Sequence, residues 1–174
     1  MQIGFHFDQT RCIGCSACVV ACKDWNDIPA GPEKWIRIIY NEKGKFPNVY
    51  VSYLINPCFH CEDPVCIPVC PVKAITKRSE DGIVIVDSDK CLGNEECDSK
   101  CFKACPYDAP QFGPEKGAKM RKCNFCLDRH LEGKLPSCVE TCRTISKYGN
   151  IKNTDNFTYS QRTKPAIVFK PKNK

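Results

Sequence analysis

Sixteen cysteines in 174 residues constrain this chain more than any other feature, because they fall into four groups of four. The first group, Cys12, Cys15, Cys18 and Cys22, is spaced C-x2-C-x2-C-x3-C. The second, Cys58, Cys61, Cys66 and Cys70, has gaps of two, four and three residues. The third, Cys91, Cys97, Cys101 and Cys105, opens with a stretched gap of five and continues with three and three. The fourth, Cys123, Cys126, Cys138 and Cys142, has gaps of two, eleven and three. Every group therefore ends in C-x3-C.

That ending has a chemical reading. A short loop curls three thiolates around one corner of a cubic iron–sulfur cluster, and the chain then leaves as a helical turn. A cysteine four residues further on points away from that cube and ligates a neighbouring one. Four such groups imply two exchanging pairs and four 4Fe–4S clusters, with all sixteen cysteines as iron ligands. A zinc site is disfavoured: four-cysteine zinc sites pair two C-x2-C knuckles across a spacer, and four cysteines within Cys12–Cys22 are too crowded for that. A c-type haem needs C-x-x-C-H, which does not occur; His60 lies inside its C-x-x-C instead.

Composition supports a metal protein over a disulfide scaffold. The start "MQIGFHFDQTRC" has neither a cationic opening nor an apolar run, so no signal peptide is expected, and disulfides belong to oxidising compartments. No window reaches the roughly 18 to 20 apolar residues of a membrane span. The expected location is cytoplasmic, or membrane-associated through partners. Formal charge is +6, but a cluster with four thiolates carries about −2 when oxidised, so four would bring the loaded chain to about −2. The basic residues are scattered, "KGK" and "KMRK" being the densest pieces; they read as counter-charge and solvated surface, and no nucleic-acid partner is expected. No catalytic triad, phosphate-binding glycine loop or nucleotide fingerprint is present.

An internal repeat points to a duplicated design. "GFHFDQTRCIG" from Gly4 parallels "GIVIVDSDKCLG" from Gly82, sharing D-x-x-[RK]-C-[IL]-G, with Asp8 and Asp87 four residues before Cys12 and Cys91. Cys91 thus occupies the place of Cys12. The extra residues before Cys97 and Cys101 read as loop insertions in an intact ligand run, since added loop residues cost little entropy.

Strand propensity predicts a hairpin from Trp35–Tyr40 and Asn48–Ile55 around a Gly-containing turn, and a second one turning at Glu80–Gly82. Short helices are expected at Ala17–Trp25, Pro64–Cys70 and Ser99–Cys105, and another in "FCLDRHLEGK" ending near Gly133. "AIVF" between Pro165 and Pro171 reads as a strand in a tail that wraps its own domain or a partner. The apolar core is small, so cluster ligation must stabilise the fold.

With the groups laid out, the chain resembles the iron–sulfur electron-transfer subunits of the molybdopterin oxidoreductase family, those of dimethyl sulfoxide, polysulfide and thiosulfate reductases above all. The residues that carry this are "RCIGCSACVVACK", "HCEDPVCIPVCP", "ACPYDAPQF", "KCNFCLDRHLEGKLPSCVETC" and "TKPAIVFKP", spread over nearly the whole chain. The resemblance implies an α+β fold of two bacterial-ferredoxin-like two-cluster modules with short hairpins, short helices and much irregular loop. Residues 1–55 and 106–174 would form an outer module and 56–105 an inner one. It also implies the pairing. Cys12, Cys15 and Cys18 would take Cys142, and Cys123, Cys126 and Cys138 would take Cys22. Cys58, Cys61 and Cys66 would take Cys105, and Cys91, Cys97 and Cys101 would take Cys70. The third group departs from the family's usual C-x2-C-x2-C.

Pro71 and Pro106 follow the fourth cysteines of the middle groups, as in bacterial ferredoxins, whereas Lys23 and Arg143 follow those of the outer groups. These cations are either potential-raising neighbours of the outer clusters or ordinary surface charge. His6, His60 and His130 are expected in structural roles, and Trp25, Trp35 and the tyrosines as shields against water. The function implied is a non-catalytic relay of single electrons between a molybdenum- or tungsten-pterin catalytic subunit and a donor or acceptor. A membrane anchor or quinone-linked subunit is a further partner. The alternatives are a small polyferredoxin subunit of a tungsten aldehyde oxidoreductase and a free-standing polyferredoxin carrier.

Overall fold

In a computed structural model of the protein, residues 1–142, 144–148 and 162–172 are described. Strand β1 (Gly4–Asp8) leads into helix α1 (Ala17–Trp25), followed by the long strands β2 (Ile36–Lys45) and β3 (Asn48–Pro57). The short strands β4 (Ile75–Lys77) and β5 (Val84–Val86) precede three five-residue helices, α2 (Lys100–Ala104), α3 (Leu127–Leu131) and α4 (Ser137–Thr141). Strands β6 (Ile145–Tyr148) and β7 (Ile167–Lys170) complete the order.

Three small sheets result among the described residues. β1 is the centre of the first, antiparallel to β6 and parallel to β7, so the far end of the chain returns to its beginning. Phe5 and Phe7 alternate inward and are buried, as the period of two along a strand requires. Phe5 packs on Phe125 with ring centroids 4.6 Å apart. Each such ring contributes about 1.5–3 kcal/mol by leaving water, a large share for a core this small.

β2 and β3 form the second sheet, paired from Ile36↔Pro57 to Lys45↔Asn48. Its base is buried at Ile36 and Ile55, while Phe46 at the tip is 92% exposed. The expected glycine turn is corrected here: Gly44 pairs with Val49 inside the ladder, and the chain reverses at Phe46–Pro47. β4 and β5 form the third sheet, and their turn includes the expected Glu80–Gly82. Buried Asp81 holds that turn by accepting from Arg78 Nε and from the Ile83 N–H. The Asp81 carbonyl accepts from the Ile3 N–H at 2.9 Å, which ties this hairpin to the first strand.

The expected helix at Pro64–Cys70 is absent. Pro68 brings no N–H to bond back to the Pro64 carbonyl, and the segment closes instead as tight turns, with Ile67 N–H donating to Pro64 O and Cys70 N–H to Ile67 O. The other three expected helices are present: α1 with the expected bounds, α2 one residue short at each end, and α3 ending before Gly133, which takes a left-handed φ of 75°. Among the described residues no helix is long and apolar enough to cross a membrane.

Candidate metal centres

The repeated aspartates open two of the cysteine loops in the same way. Asp8 Oδ1 accepts from the Thr10 N–H at 3.0 Å, and Asp87 Oδ1 accepts from the Asp89 N–H at 3.1 Å. Each turn reverses the strand and delivers Cys12 or Cys91. Hydrogen bonds hold both carboxyls below the usual range, chiefly from the Thr10 hydroxyl for Asp8 and from Lys90 for Asp87. Past the first turn Gly14 has a φ of 71°, and a Cβ there would stand 2.4 Å from the Tyr53 ring. The glycine lets the hairpin base close over the loop.

Cys18 and Cys22 sit one turn apart on α1 and face different neighbours. Burial pushes the Cys18 thiol up to about 12, and Cys142 and then Cys12 add to this by charge repulsion. Burial also pushes Cys22 up to about 12, with Cys126 the next contributor. Cys12, Cys18 and Cys142 are therefore close together, with exposed Cys15 on the same loop. Cys22 lines a cavity together with Cys123, Cys126 and Cys138, walled by Trp35, Phe5 and Phe125.

The eleven-residue gap in the fourth group is an excursion that returns. α3 leaves from Cys126, and Gly133 ends it. Arg129 then staples the way back, its Nε donating to Leu135 O at 2.7 Å while its guanidinium pairs with Glu140. Ser137, whose Oγ lies 3.6 Å from Cys126 Sγ, starts α4 and brings Cys138 back to the cavity. Neither α4 nor the role of Ser137 is foreseen from the sequence.

A second cavity is lined by Cys58, Cys61, Cys66 and Cys105 with Tyr107, Lys122 and Thr163. The C-terminal tail closes it. Ala166 N–H donates to Phe59 O, the Glu62 and Asp63 N–H groups donate to Lys164 O and Thr163 O, and Tyr107 Oη meets Thr163 Oγ1 at 2.6 Å. Burial pushes Cys61 and Cys66 up to about 12.

A third cavity is lined by Cys70, Cys91, Cys97 and Cys101. The stretched gap of the third group folds around it as a loop pinned to a later segment, with Asn94 N–H donating to Ala118 O at 3.0 Å. Gly93 takes φ 98°, and a Cβ there would lie 2.5 Å from the Gly117 carbonyl. Two backbone groups already point at sulfur: Ala74 N–H to Cys70 Sγ at 3.3 Å and Met120 N–H to Cys91 Sγ at 3.4 Å.

These four sulfur sets adjoin one another in succession. Cys18 is near enough to Cys138 to act on it, and Cys58 likewise on Cys123. The turn from Cys66 to Cys70 joins the third set to the fourth within one apolar cluster. The sulfurs of three of the sets surround cavities, and among the described residues no three His, Cys, Asp or Glu side chains form a single-ion site. A tetrahedral zinc with bonds of about 2.3 Å would need them gathered on one point. Room for an inorganic core with a thiolate at each corner fits the donor set better.

Other expected residues fall as follows. Buried His60 accepts from the Val84 N–H through Nδ1, and burial, followed by the Lys122 charge, holds its pKa well below the usual range, so it is neutral. His130 faces Asp81 at 3.4 Å, and His6 lies on β1. Lys23 donates to the carbonyls of Pro29 and Gly31 at 2.9 and 3.2 Å, which fixes its ammonium on a surface loop. Arg143 lies outside the described residues. Trp25 is corrected: it is 43% exposed, donates to Asp128 and stacks under Arg129 4.3 Å away. Lys122, read from "KMRK" as surface charge, is only 4% exposed.

Comparison with known proteins identifies the class of centre. Residues 11–74 and 49–150 each match a family described as a 4Fe-4S dicluster domain. The chain is 42% identical over 190 residues to the B component of the anaerobic dimethyl sulfoxide reductase of Escherichia coli (strain K12), covering 98% of this chain and 89% of that one. YnfG of the same organism, a probable anaerobic dimethyl sulfoxide reductase component, matches to the same extent. The B component of the sulfite dehydrogenase of Allochromatium vinosum is 36% identical over 176 residues, covering 89% of this chain and 71% of its own. On these matches, and on sixteen cysteines gathered in fours, the chain belongs to the 4Fe–4S electron-transfer subunits of the molybdopterin oxidoreductase family.

Proposed function

We propose that the four sulfur sets are the four cluster sites: Cys12, Cys15, Cys18 and Cys142; Cys22, Cys123, Cys126 and Cys138; Cys58, Cys61, Cys66 and Cys105; Cys70, Cys91, Cys97 and Cys101. The observation that carries this is that three cavities are each lined by four cysteines drawn from two different groups. Bound 4Fe–4S clusters supply reversible one-electron chemistry at each site. The chain's own part is to fix their order, exclude water with Trp35, Tyr53, Phe125 and Tyr107, and aim backbone N–H groups at sulfur. On this reading residues 1–55 and 106–174 make the outer two-cluster module and 56–105 the inner one, with the tail bridging both through Thr163–Ala166.

The chain is not itself an enzyme; it carries electrons for one. Its partner is a molybdenum- or tungsten-pterin catalytic subunit, as the relation to the dimethyl sulfoxide reductase and sulfite dehydrogenase components supports. The setting is anaerobic respiration, with membrane association supplied by an anchor or quinone-linked subunit. Chemistry on the substrate belongs to the partner's cofactor. Anaerobic purification from the native source tests this: the chain should come as a stoichiometric complex with a pterin subunit, and its reduced visible spectrum should reoxidise when that subunit's oxidant is added. Recovery as a lone carrier, with no pterin subunit at any salt concentration, would replace the proposal with a free-standing polyferredoxin.

A further inference from the structure

We propose that Lys122 is a buried electrostatic tuner that raises the reduction potential of the cluster held by Cys58, Cys61, Cys66 and Cys105. The inference rests on the ligand sets proposed above.

Lys122 is 4% exposed, and its side chain forms part of the wall of that cavity. Its ammonium donates to two neutral groups, the carbonyls of Val84 and Cys123, the latter at 3.1 Å. It makes no ion pair with a carboxylate among the described residues, unlike Arg78, Arg121, Arg129 and Lys164. A buried cation without an anion is a costly arrangement that proteins resolve by pairing. The anion at hand is the cluster with its four thiolates, about −2 when oxidised and one unit more negative when reduced. The Lys122 charge reaches the Cys66 sulfur. A fixed positive charge in a water-poor wall stabilises the reduced form more than the oxidised one, so the midpoint rises.

Its place in the succession gives this a consequence. Lys122 adjoins Cys123 of the second set and faces the third, so it sits at the middle junction of the wire. Raising the third site's potential makes that site an electron-holding step between the outer pair and Cys70's cavity. Lys77, which donates to the carbonyls of Cys61 and Glu62 and is partly open to water, is the natural control. Solvent and salt screen its charge.

The test is an EPR-monitored redox titration of the anaerobically purified full chain in its complex, comparing wild type, Lys122→Met, Lys122→Arg and Lys77→Gln. Lys122→Met, with all its iron and sulfide retained, should lower one midpoint so that the reduction equilibrium at that cluster falls about tenfold or more, roughly 59 mV for a one-electron couple. Lys122→Arg and Lys77→Gln should leave it within tenfold of wild type. Full cluster content with unchanged midpoints in Lys122→Met overturns the inference. Should Lys122→Met fail to assemble, assembly of Lys122→Arg at a near-native midpoint supports the charge role. Failure of both, or a displaced midpoint in Lys122→Arg, overturns it. Wild-type protein lacking clusters would instead sink the ligand proposal beneath it.

Discussion

Cys18 and Cys22 stand one turn apart on the same helix yet face different sulfur neighbours: Cys18 lies with Cys142, and Cys22 with Cys123, Cys126 and Cys138. On the proposed ligand sets, one turn of α1 joins two cluster sites covalently.

The proposed crossed ligation predicts a pattern that single substitutions reveal. Cys22→Ala and Cys123→Ala should abolish the same EPR signal, although the residues come from opposite halves of the sequence. Cys12→Ala and Cys142→Ala should abolish a different one. Each variant should lose about four irons. Pairing of signals within a group, Cys12 with Cys22, would contradict the crossing.

Gly93→Ala tests the stretched loop of the third group. The left-handed φ and the Gly117 carbonyl 2.5 Å from a new Cβ leave no room for it. The loop should detach from Asn94–Ala118 and the Cys70/Cys91/Cys97/Cys101 site should fail to load, while the other three clusters remain. Iron should fall by about a quarter. Full iron content with four unaltered signals would count against the loop's role.

Thr163→Val removes a buried hydroxyl that meets Tyr107 Oη and hydrogen-bonds Cys61. It should cost about 1–3 kcal/mol in unfolding experiments, because the Tyr107 hydroxyl loses a partner it has inside the core. Loss of a donor to sulfur should also lower the midpoint of the third site. An unchanged denaturation midpoint would show that the tail does not seal this cavity.

Much of this was legible in the residues. Asp8 and Asp87 announce equivalent turns because a short carboxylate that bonds two residues ahead leaves a signature in D-x-x-[RK]-C. The C-x3-C ending sends Cys18 and Cys22 to different sulfur neighbours through one turn of α1, while Cys66 and Cys70 part through tight turns. Other features are set by distant parts of the chain. α4 spans only Ser137–Thr141, too short for a 3.6-residue period to register. β6 exists because it pairs with β1, more than a hundred residues away. Pro64–Cys70 has a helix-like spacing that Pro68 defeats. Lys122 looks in sequence like its exposed neighbour Lys119; only the surrounding Val84 and Cys123 carbonyls reveal its burial.

Iron removal should unfold most of the chain. The core outside the cavities is thin, and ligation contributes folding free energy directly. Chelation at pH 7 should abolish most ellipticity and protease resistance. Whatever metal-free structure survives should show a defined pH response. Burial holds Cys18, Cys22, Cys61 and Cys66 at about 12 in the fold, against about 8.5 in an unfolded chain. Below about pH 8.5 both states keep the protons and stability is unaffected; from there to about 12 the unfolded state alone ionises, so stability falls as pH rises. Residual ellipticity that grows over that interval would contradict the assignment.

The most direct measurement is the count of iron and acid-labile sulfide per chain in anaerobically purified protein. Four cubes held by sixteen thiolates predict about sixteen of each, with little zinc. A chain carrying a few zinc ions and no labile sulfide would contradict the account.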